Sequence, residues 1–353
     1  MLFLLAALHA TLFATLLANL FYLRRTRPVP PVAAWPRLSV LIPARNEEAN
    51  LQRLLPSLLA QRYPDFEVIV YDDASEDGTP RVLASFAASS DRLKVMRGEG
   101  PPPGWVGKVY ALYEATRHAR GERYLFLDAD AELADPDALS RLVARHEALP
   151  AGSVLTGLTH LCGGGALLVS LVPNAILAGL PWPLVRRLRH PALGALNGQC
   201  WLIDAGHYHR LEPHRHVHDQ VLEDVQIGRY LCTRGLVPTL VDVQDEVRVY
   251  MYGDLADAWR GFRKNAYLIM GGTPPRFFAT FSLFAFVYVV APLLSPWFLL
   301  SIYLLKRLTD RHTGFPLWVS LLAPVSFVLA LGVQLDAFVS HYTGRTRWKG
   351  RAV

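Results

Sequence analysis

Long apolar runs open and close the chain, whereas the middle alternates short apolar runs with polar loops. Leu2 to Leu23 contains no charged residue and is long enough to cross the hydrocarbon core of a bilayer as a helix. Near the end, the run 277–305 has no charge and the run 317–340 has only Asp336. The pattern predicts an N-terminal transmembrane anchor at 1–24, a polar domain at 25–276, and a C-terminal membrane region with two spans and a basic tail at 277–353.

The run 277–305 contains Pro292 and Pro296, so one tilted span, one kinked span and a re-entrant segment all fit it. Arginines directly follow the first apolar run, and they place the next segment in the cytoplasm by the positive-inside rule: Arg24, Arg25 and Arg27. The basic tail agrees, whereas a short loop with Lys306, Arg307 and Arg311 would then lie outside. We expect a multi-pass protein of the inner (plasma) membrane with a cytoplasmic domain. A cleaved signal peptide is the alternative, but no basic residue precedes the run.

The middle of the chain has the pattern of an α/β fold with a mostly parallel sheet and helices on both faces. Strands are predicted at 38–42, 66–71, 93–96 and 124–127, and a helix with leucines at helical spacing at 51–61, capped by Asn50. A strand, a helix and a strand in this order form a βαβ unit, whose right-handed crossover brings both strand ends to one edge of the sheet. The loops after these strands should therefore converge.

Carboxylates follow the predicted strands directly. Asp72 and Asp73 come after the second strand, and Asp128 and Asp130 after the strand 124–127. Ligands bind open α/β sheets at this edge, and Mg²⁺ or Mn²⁺ needs one or two carboxylates plus substrate phosphates. We expect Asp130 to ligate the cation through the diphosphate of a nucleotide, with Asp128 helping. The alternative is that Asp128 and Asp130 only end a strand and begin a turn.

Lys108 leaves a loop rich in Gly and Pro and enters a predicted helix. A cation at a helix N-terminus suits a diphosphate, although a solvated lysine is the ordinary interpretation. Glu223 and Asp224 stand in the first turn of another predicted helix, where the helix dipole favours carboxylates whatever their function. Three cations at 260–264 suit either a leaving diphosphate or a juxtamembrane surface: Arg260, Arg263 and Lys264.

The composition of the chain excludes several classes of protein. The 353 residues are 52% hydrophobic yet 19% charged, so membrane and soluble parts must be separate. The net charge of +6 is scattered or flanks apolar runs, which argues against nucleic acid. Three cysteines without CxxC spacing indicate neither a zinc ribbon nor a disulfide framework. Five histidines between His207 and His218 lack the spacing of a zinc site, and we expect a polar loop near the acceptor or the headgroups.

The stretch 165–190 is apolar but interrupted by prolines and followed by arginines. We expect an interfacial segment that lies against the membrane, with Trp182 at headgroup depth. A buried piece of the core is the alternative.

Four motifs in this order resemble a family 2 glycosyltransferase with the GT-A fold: Ile42 to Glu48, Asp72 to Thr79, the loop Gly104-Trp105-Val106-Gly107-Lys108, and Asp128-Ala129-Asp130. The loop and the tail Trp348-Lys349-Gly350-Arg351 further resemble the membrane-anchored branch that glycosylates carotenoid or hopanoid-type lipids.

The resemblance implies roles for the residues at the strand ends. It places the donor nucleotide-sugar against Pro43, Ala44, Glu47, Asp72, Asp73, Lys108 and Asp128. Gly198 and Gln199 fall on the acceptor side, together with Glu223, and Asp224 matches the second carboxylate of the ED motif, the general base. The full QxxRW motif is missing around Arg260, which leaves the role of that region open.

We therefore expect an inverting, metal-dependent glycosyltransferase that moves a sugar, by analogy from a UDP-sugar, to a lipid acceptor. The alternatives are a transferase acting on polyprenyl phosphate, a polysaccharide synthase, and a membrane scaffold that has lost catalysis. Three candidate spans are few for a polymer channel, and a scaffold should have lost an acidic motif, whereas all are present.

Overall fold

The computed structural model describes residues 2–345, 347–349 and 351–352. Gly350 of the tail motif therefore lies outside the described residues. The chain forms two compact units. One is an α/β unit of residues Leu23–His160 and Trp182–Val249, and the other is a mainly helical unit of the segment up to Tyr22, Leu161–Pro181 and the chain from Tyr250 onwards.

The strands of the α/β unit are β1 Leu38–Ala44, β2 Phe66–Asp73, β3 Leu93–Gly98, β4 Arg123–Leu127, β5 Ala131–Leu133, β6 Ser153–Leu158, β8 Cys200–Asp204 and β9 Val237–Asp242. Two further strands cross from one unit into the other along the chain, β7 His160–Gly163 and β10 Val247–Tyr252. The helices of this unit are α2 Glu48–Leu59, α3 Thr79–Ala87, α4 Gly107–Arg117, α5 Ala138–Glu147, α8 Trp182–Leu188, α9 Ala205–Leu211, α10 Pro213–His216 and α11 Glu223–Thr233, with a 3₁₀ turn at Pro191–Leu193.

Seven strands form one sheet in the order β3-β2-β1-β4-β8-β6-β9. β3, β2, β1 and β4 are mutually parallel, and so are β6 and β9, whereas β8 runs antiparallel to both β4 and β6. The mostly parallel sheet is therefore confirmed. Because β8 is reversed, its first residues, and not its last, meet the end of β4.

Both faces of the sheet are covered, because the strands are apolar at consecutive positions. On one face, Ile69, Phe126 and Trp201 pack against α4 and α11 in a single hydrophobic cluster. The rings of Phe126 and Trp201 stack with centroids 4.0 Å apart. On β4 and β1 the alternate residues Leu125, Leu127 and Val40 are also fully buried or nearly so. The sheet is therefore a rigid base for the loops at its edge.

Two details of the α/β unit differ from the prediction. Helix α2 begins at Glu48 with Glu47 at its N-cap, so Asn50 lies inside the helix and does not cap it. The His-rich stretch is helical in α9 and α10, and the expected polar loop is wrong there. His214 is fully buried, and its Nδ1 lies 2.7 Å from the hydroxyl of Tyr208. This histidine belongs to the core of the unit, where the cluster of aromatic rings surrounds it.

The helical unit contains most of the apolar runs. Its helices are α1 Leu2–Thr26, which ends in the other unit, α6 Ala166–Val169, α7 Leu171–Gly179, α12 Leu255–Ile269, α13 Pro274–Ala285, a π-helical segment Phe286–Val290, α14 Ala291–Leu294, α15 Pro296–His312, α16 Leu317–Leu321 and α17 Ala323–Tyr342. Two short strands follow, β11 Arg347–Trp348 and β12 Arg351–Ala352.

Three helices are long and apolar enough to cross a membrane: Leu2–Thr26, Pro274–Leu294 and Ala323–Tyr342. A fourth crossing results only if the helices Ala166–Gly179 and Trp182–Leu188 are counted as one broken span. The run 277–305 is divided at Ser295, since its second part belongs to α15. Lys306, Arg307 and Arg311 lie in this helix, so the short loop predicted for them is wrong.

Candidate active site

The carboxyl ends of the strands bring the predicted residues of the α/β unit together. Pro43 and Ala44 end β1, and the register places Ala44 opposite Asp72 on β2. Asp128 follows β4 directly and donates its backbone N–H to the carbonyl oxygen of Gln199, at 3.2 Å. This bond extends the pairing of β4 with β8, in which Leu127 lies opposite Cys200.

Lys108 connects two of the predicted carboxylates. It is the second residue of α4, and its Nζ lies 2.7 Å from Oδ1 of Asp128 and 3.0 Å from Oε1 of Glu223. Burial alone would lower the pKa of Lys108, but the charges of these carboxylates outweigh it and raise that pKa well above its usual value. The ammonium group therefore stays charged and joins the end of β4 to the start of α11.

Asp224 is held in place beside this pair. Its Oδ2 accepts a hydrogen bond from the backbone N–H of Gly198, at 3.1 Å, and its Oδ1 accepts one from Val225, at 2.8 Å. A Cβ atom on Gly198 would lie 3.2 Å from Oδ2 of Asp224 and 3.3 Å from Nζ of Lys108, so a larger residue there would have to displace these side chains by a few tenths of an ångström.

Burial raises the pKa of Asp224 to about 6, the neighbouring charge of Glu223 acts in the same direction, and Lys108 opposes both. A carboxylate with a pKa near 6 is mostly ionised at neutral pH, yet it is a stronger base than an exposed aspartate. One ammonium group among three carboxylates also leaves negative charge in excess. The site can therefore accept a proton or a further cation.

At the other end of the sheet edge, the loops after β1 and β2 are bonded to each other. Arg45 is buried and donates to the carbonyl oxygens of Asp73 and Ala74, at 2.7 and 2.8 Å. Asn46 donates its backbone N–H to Oγ of Ser75, at 2.9 Å. Asn46 and Ala74 both have φ of +52°, a strained region for residues with a Cβ, which persists because these bonds determine the loops.

The predicted donor residues lie in or beside these loops. Asp72 accepts the backbone N–H of Ser75 at Oδ1, at 3.0 Å, and its Oδ2 lies 3.8 Å from Nε of Arg97. Asp72 therefore stabilises the turn that follows it. Glu47 accepts a hydrogen bond from Asn50, at 2.7 Å, and lines a cavity of about 380 Å³. The other residues lining that cavity are Asn46, Glu48, Ala49, Asn50, Gln52 and Asp77.

The donor set at the end of β4 fits a hard divalent cation. Asp128 and Asp130 supply carboxylate oxygens, and Asp128 already faces a positive charge in Lys108. Within residues 2–345, 347–349 and 351–352, no group of three or more His, Cys, Asp or Glu side chains is suited to hold a metal. One or two carboxylates together with substrate phosphates can hold a cation of the magnesium type.

Two polar residues outside the sequence motifs, Thr159 and Asn197, also lie at this edge of the sheet. Thr159 is buried just after β6 and donates from Oγ1 to Oε1 of Gln199, at 2.7 Å. Asn197 donates from Nδ2 to the carbonyl oxygen of Gly157, at 2.8 Å, and lies 3.3 Å from the same Oε1. Asn197 stands beside Gly198 in the sequence and could have been found there, whereas no sequence signal marks Thr159.

The three predicted cations of α12 lie in the helical unit. Arg260 pairs with Asp257 on the same helix, and Arg263 lies 3.5 Å from Asp336 of α17. Lys264 follows on the same helix. These contacts give α12 structural partners, and a role of its cations toward a diphosphate stays a prediction.

Comparison with protein families and curated proteins gives matches over different parts of the chain. Residues 39–193 match the model of the family described as glycosyl transferase family 2. The 4,4'-diaponeurosporenoate glycosyltransferase of Staphylococcus aureus (strain bovine RF122 / ET3-1) is 25% identical over 339 residues, which cover 89% of this chain and 87% of that protein. The protein of the same name from strain USA300 is 37% identical over 111 residues, 31% of this chain and 28% of its own length.

Among solved structures, the mannosyltransferase PcManGT from Pyrobaculum calidifontis, in complex with GDP-Man and Mn²⁺, has a similar fold. The TM-score is 0.55 at 20% sequence identity, and the match covers 96% of this chain and 99% of the other.

Proposed function

We propose that this chain, a glycosyltransferase with a family 2 domain and the GT-A fold, transfers a sugar from a nucleotide-diphosphate donor to a lipid acceptor with inversion at the anomeric carbon. The observation that carries the proposal is the cluster of Lys108, Asp128, Glu223 and Asp224 at one edge of the sheet. In it, Lys108 contacts both Asp128, of the proposed cation site, and Glu223, and the proposed base Asp224 follows Glu223 in the chain and accepts the backbone N–H of Gly198.

The donor lies along the ends of β1, β2 and β4 in this proposal. Pro43, Ala44, Glu47 and Asp73 contact the nucleoside, and Asp72 supports the loop that carries Asp73. Two features support this arrangement, namely the cavity beside Glu47 and the network of Arg45 that fixes the loops. A pre-formed site lowers the entropy that binding would otherwise cost. Uridine is the base in this proposal by analogy alone.

In this proposal the diphosphate of the donor binds at the cation site formed by Asp128 and Asp130. A bound Mg²⁺ or Mn²⁺ would neutralise the diphosphate as it leaves, and these two carboxylates would hold the ion. Lys108 lies on Asp128 and can turn its ammonium group toward a phosphate oxygen, because a lysine on a flexible stem has three donors. The excess of carboxylate charge in the cluster supports a cation there.

Asp224 accepts the proton of the acceptor's hydroxyl group. The acceptor oxygen then forms a bond to the anomeric carbon, while the bond from that carbon to the diphosphate oxygen breaks on the opposite face. The raised pKa of Asp224 supports this role, since a base is most useful when its pKa lies near the working pH. A carboxylate acceptor is already ionised and needs no base.

A carotenoid or hopanoid-type lipid is the acceptor in this proposal. The name of the Staphylococcus aureus relatives, 4,4'-diaponeurosporenoate glycosyltransferase, and the three helices that could cross a membrane support it. We further propose a multi-pass inner-membrane protein with its α/β unit in the cytoplasm, as the arginines after the first apolar run suggest. A reporter fused behind the C-terminus should then report cytoplasm, and protease added to intact cells should spare residues 25–276.

The deciding experiment is mass spectrometry of lipid extracts from a strain that lacks the gene and from the same strain carrying it. We expect a lipid whose mass exceeds that of its precursor by one sugar residue only when the gene is present. The purified protein in detergent, given a UDP-sugar and the precursor, should form the same product. Identical lipid extracts together with no product in vitro would contradict the proposal.

A further inference from the structure

We propose that Gln199 donates a hydrogen bond from its side-chain amide to a substrate oxygen at the site, and that Thr159 and Asn197 are positioning residues that fix the direction of this amide. The inference rests on the proposed function and adds to it a residue that selects substrates with an oxygen at this point. That oxygen belongs either to a hydroxyl of the donor sugar or to the head group of the acceptor.

The direction of the amide follows from a chain of three hydrogen bonds. The carbonyl oxygen of Gly157 can only accept, so the atom of Asn197 that lies 2.8 Å from it must be the nitrogen Nδ2. This nitrogen also lies 3.3 Å from Gln199, which therefore turns its oxygen Oε1 toward Asn197. The hydroxyl of Thr159 donates to the same Oε1 at 2.7 Å. Backbone geometry thus decides which end of Gln199 is the donor.

The donor end of Gln199 is left for a ligand. Oε1 takes both side-chain bonds, and within the described part of the chain Nε2 makes no hydrogen bond. The residue is only 8% exposed. Nε2 is not among the buried polar atoms of the described residues that have no partner, so it reaches solvent, and a substrate oxygen can replace water as its acceptor.

The register of β4 with β8 shows where the amide of Gln199 lies. Continuing the pairing of Leu127 with Cys200 by one residue places Gln199 opposite Asp128, and directly opposed residues of antiparallel strands have their side chains on the same face. The backbone of Gln199 is bonded to Asp128, and that of Gly198 is bonded to the carboxylate of Asp224. The amide therefore belongs to the strand end between the proposed cation corner and the proposed base.

The test uses the full chain in detergent or nanodiscs and compares Thr159→Val with Thr159→Ser. Valine keeps the shape and removes the hydroxyl, whereas serine keeps the hydroxyl. We expect Thr159→Val to raise the KM of one substrate by roughly three- to tenfold, the effect of one lost hydrogen bond, with a smaller change in kcat. Thr159→Ser should retain the wild-type KM. A rise in the donor KM identifies the sugar as the partner, and a rise in the acceptor KM identifies the lipid head group.

A double-mutant cycle separates positioning from a merely structural effect. Gln199→Met removes the amide and keeps the length of the side chain, and it should raise the same KM at least as much. Thr159→Val should then add nothing in the Gln199→Met background, because both changes remove one interaction.

Unchanged KM values in Thr159→Val, or additive effects in the double variant, would overturn the inference. If Thr159→Val does not fold, Gln199→Met alone decides, since an unchanged KM for both substrates also overturns it. A wild-type protein that transfers no sugar would instead contradict the proposed function.

Discussion

Lys306 of the helical unit and Lys108 of the α/β unit are both held by carboxylates, but they differ in how their charge is balanced. In the helical unit, Lys306 contacts Asp310 one helical turn away and donates to Oγ of Ser170, at 2.9 Å. The second oxygen of Asp310 accepts from Ser320, at 2.7 Å. Lys306 and Asp310 have no exposed surface, and one charge balances the other.

In the α/β unit, Lys108 faces three carboxylates, and its side chain is 21% exposed. Negative charge remains in excess, and the backbone N–H of Gly198 only partly offsets the burial of Asp224. Lys306 and Asp310 form a closed, neutral pair, which can hold the start of α7, α15 and α16 in register. Lys108 and its three carboxylates form an open cluster with unbalanced charge, which can take up a proton or a cation. The local charge balance thus distinguishes a structural lysine from one at a candidate active site.

The largest expected effect is that of Asp224→Asn, which keeps the shape of the side chain and removes its basicity. We expect kcat to fall by roughly two to four orders of magnitude with an alcohol acceptor, the usual contribution of a general base, while donor binding survives. Asp219→Asn is the matched control, because Asp219 is exposed and precedes the same helix. A near-normal kcat with an alcohol acceptor would show that Asp224 is not the base.

The second effect concerns the closed pair of Lys306 and Asp310. Lys306→Met leaves Asp310 buried without its counter-charge, so we expect the free energy of unfolding, measured in SDS–detergent mixtures, to fall by about 3–5 kcal/mol. The double change Lys306→Met with Asp310→Leu should recover most of this loss. Arg311→Met on the same helix is the control, since Arg311 is exposed. A single variant as stable as the wild type would remove the distinction between the two clusters.

The third effect is the pH dependence of the open cluster. Because Asp224 must be ionised to accept a proton and its pKa is raised to about 6, kcat/KM should be constant above that pH and fall about tenfold per pH unit below it. Glu223→Gln removes a like charge, so the falling limb should move to lower pH. A limb that moves upward or stays in place would show that Glu223 does not raise the pKa of Asp224.

The smallest effect separates the nucleoside end of the site from the open cluster. Asp73→Ala should raise the KM of the donor by roughly tenfold, the value of one hydrogen bond to a charged group, and leave the KM of the acceptor nearly unchanged. Asp65→Ala is the control, because Asp65 is exposed just before β2. If only the acceptor KM rises, Asp73 does not belong to the donor site.

Local patterns predicted much of the sheet edge. Apolar runs that end in Asp72 and Asp128 placed both residues at strand ends, and the start of α11 at Glu223 was predicted within a residue. The contacts between these loops could not be predicted in the same way. Lys108 and Glu223 are far apart in the sequence, and only the packing of α4 and α11 on the sheet brings them together.

Other features that the sequence did not predict, or predicted wrongly, also have physical reasons. An apolar run such as Cys200–Asp204 fits a parallel or an antiparallel strand, so the reversal of β8 has no local signal. Lys306 and Asp310 have the i,i+4 spacing of a helical ion pair, which predicts a helix where we expected a loop. Thr159 has no motif around it, because its role depends on a partner from a neighbouring strand.

The pairing of β6 with β8 has a consequence for how such proteins can diversify and be engineered. Leu155 lies opposite Leu202 in adjacent strands, so the chain leaves the sheet after Leu158 and returns at Cys200 one strand away. The sheet holds both ends of this long excursion, because β8 also pairs with β4 and β6 also pairs with β9. Libraries confined to exposed positions of the excursion, such as Leu184, Leu188 and His190, can therefore change what it contacts, while the strands that carry the carboxylates keep their register.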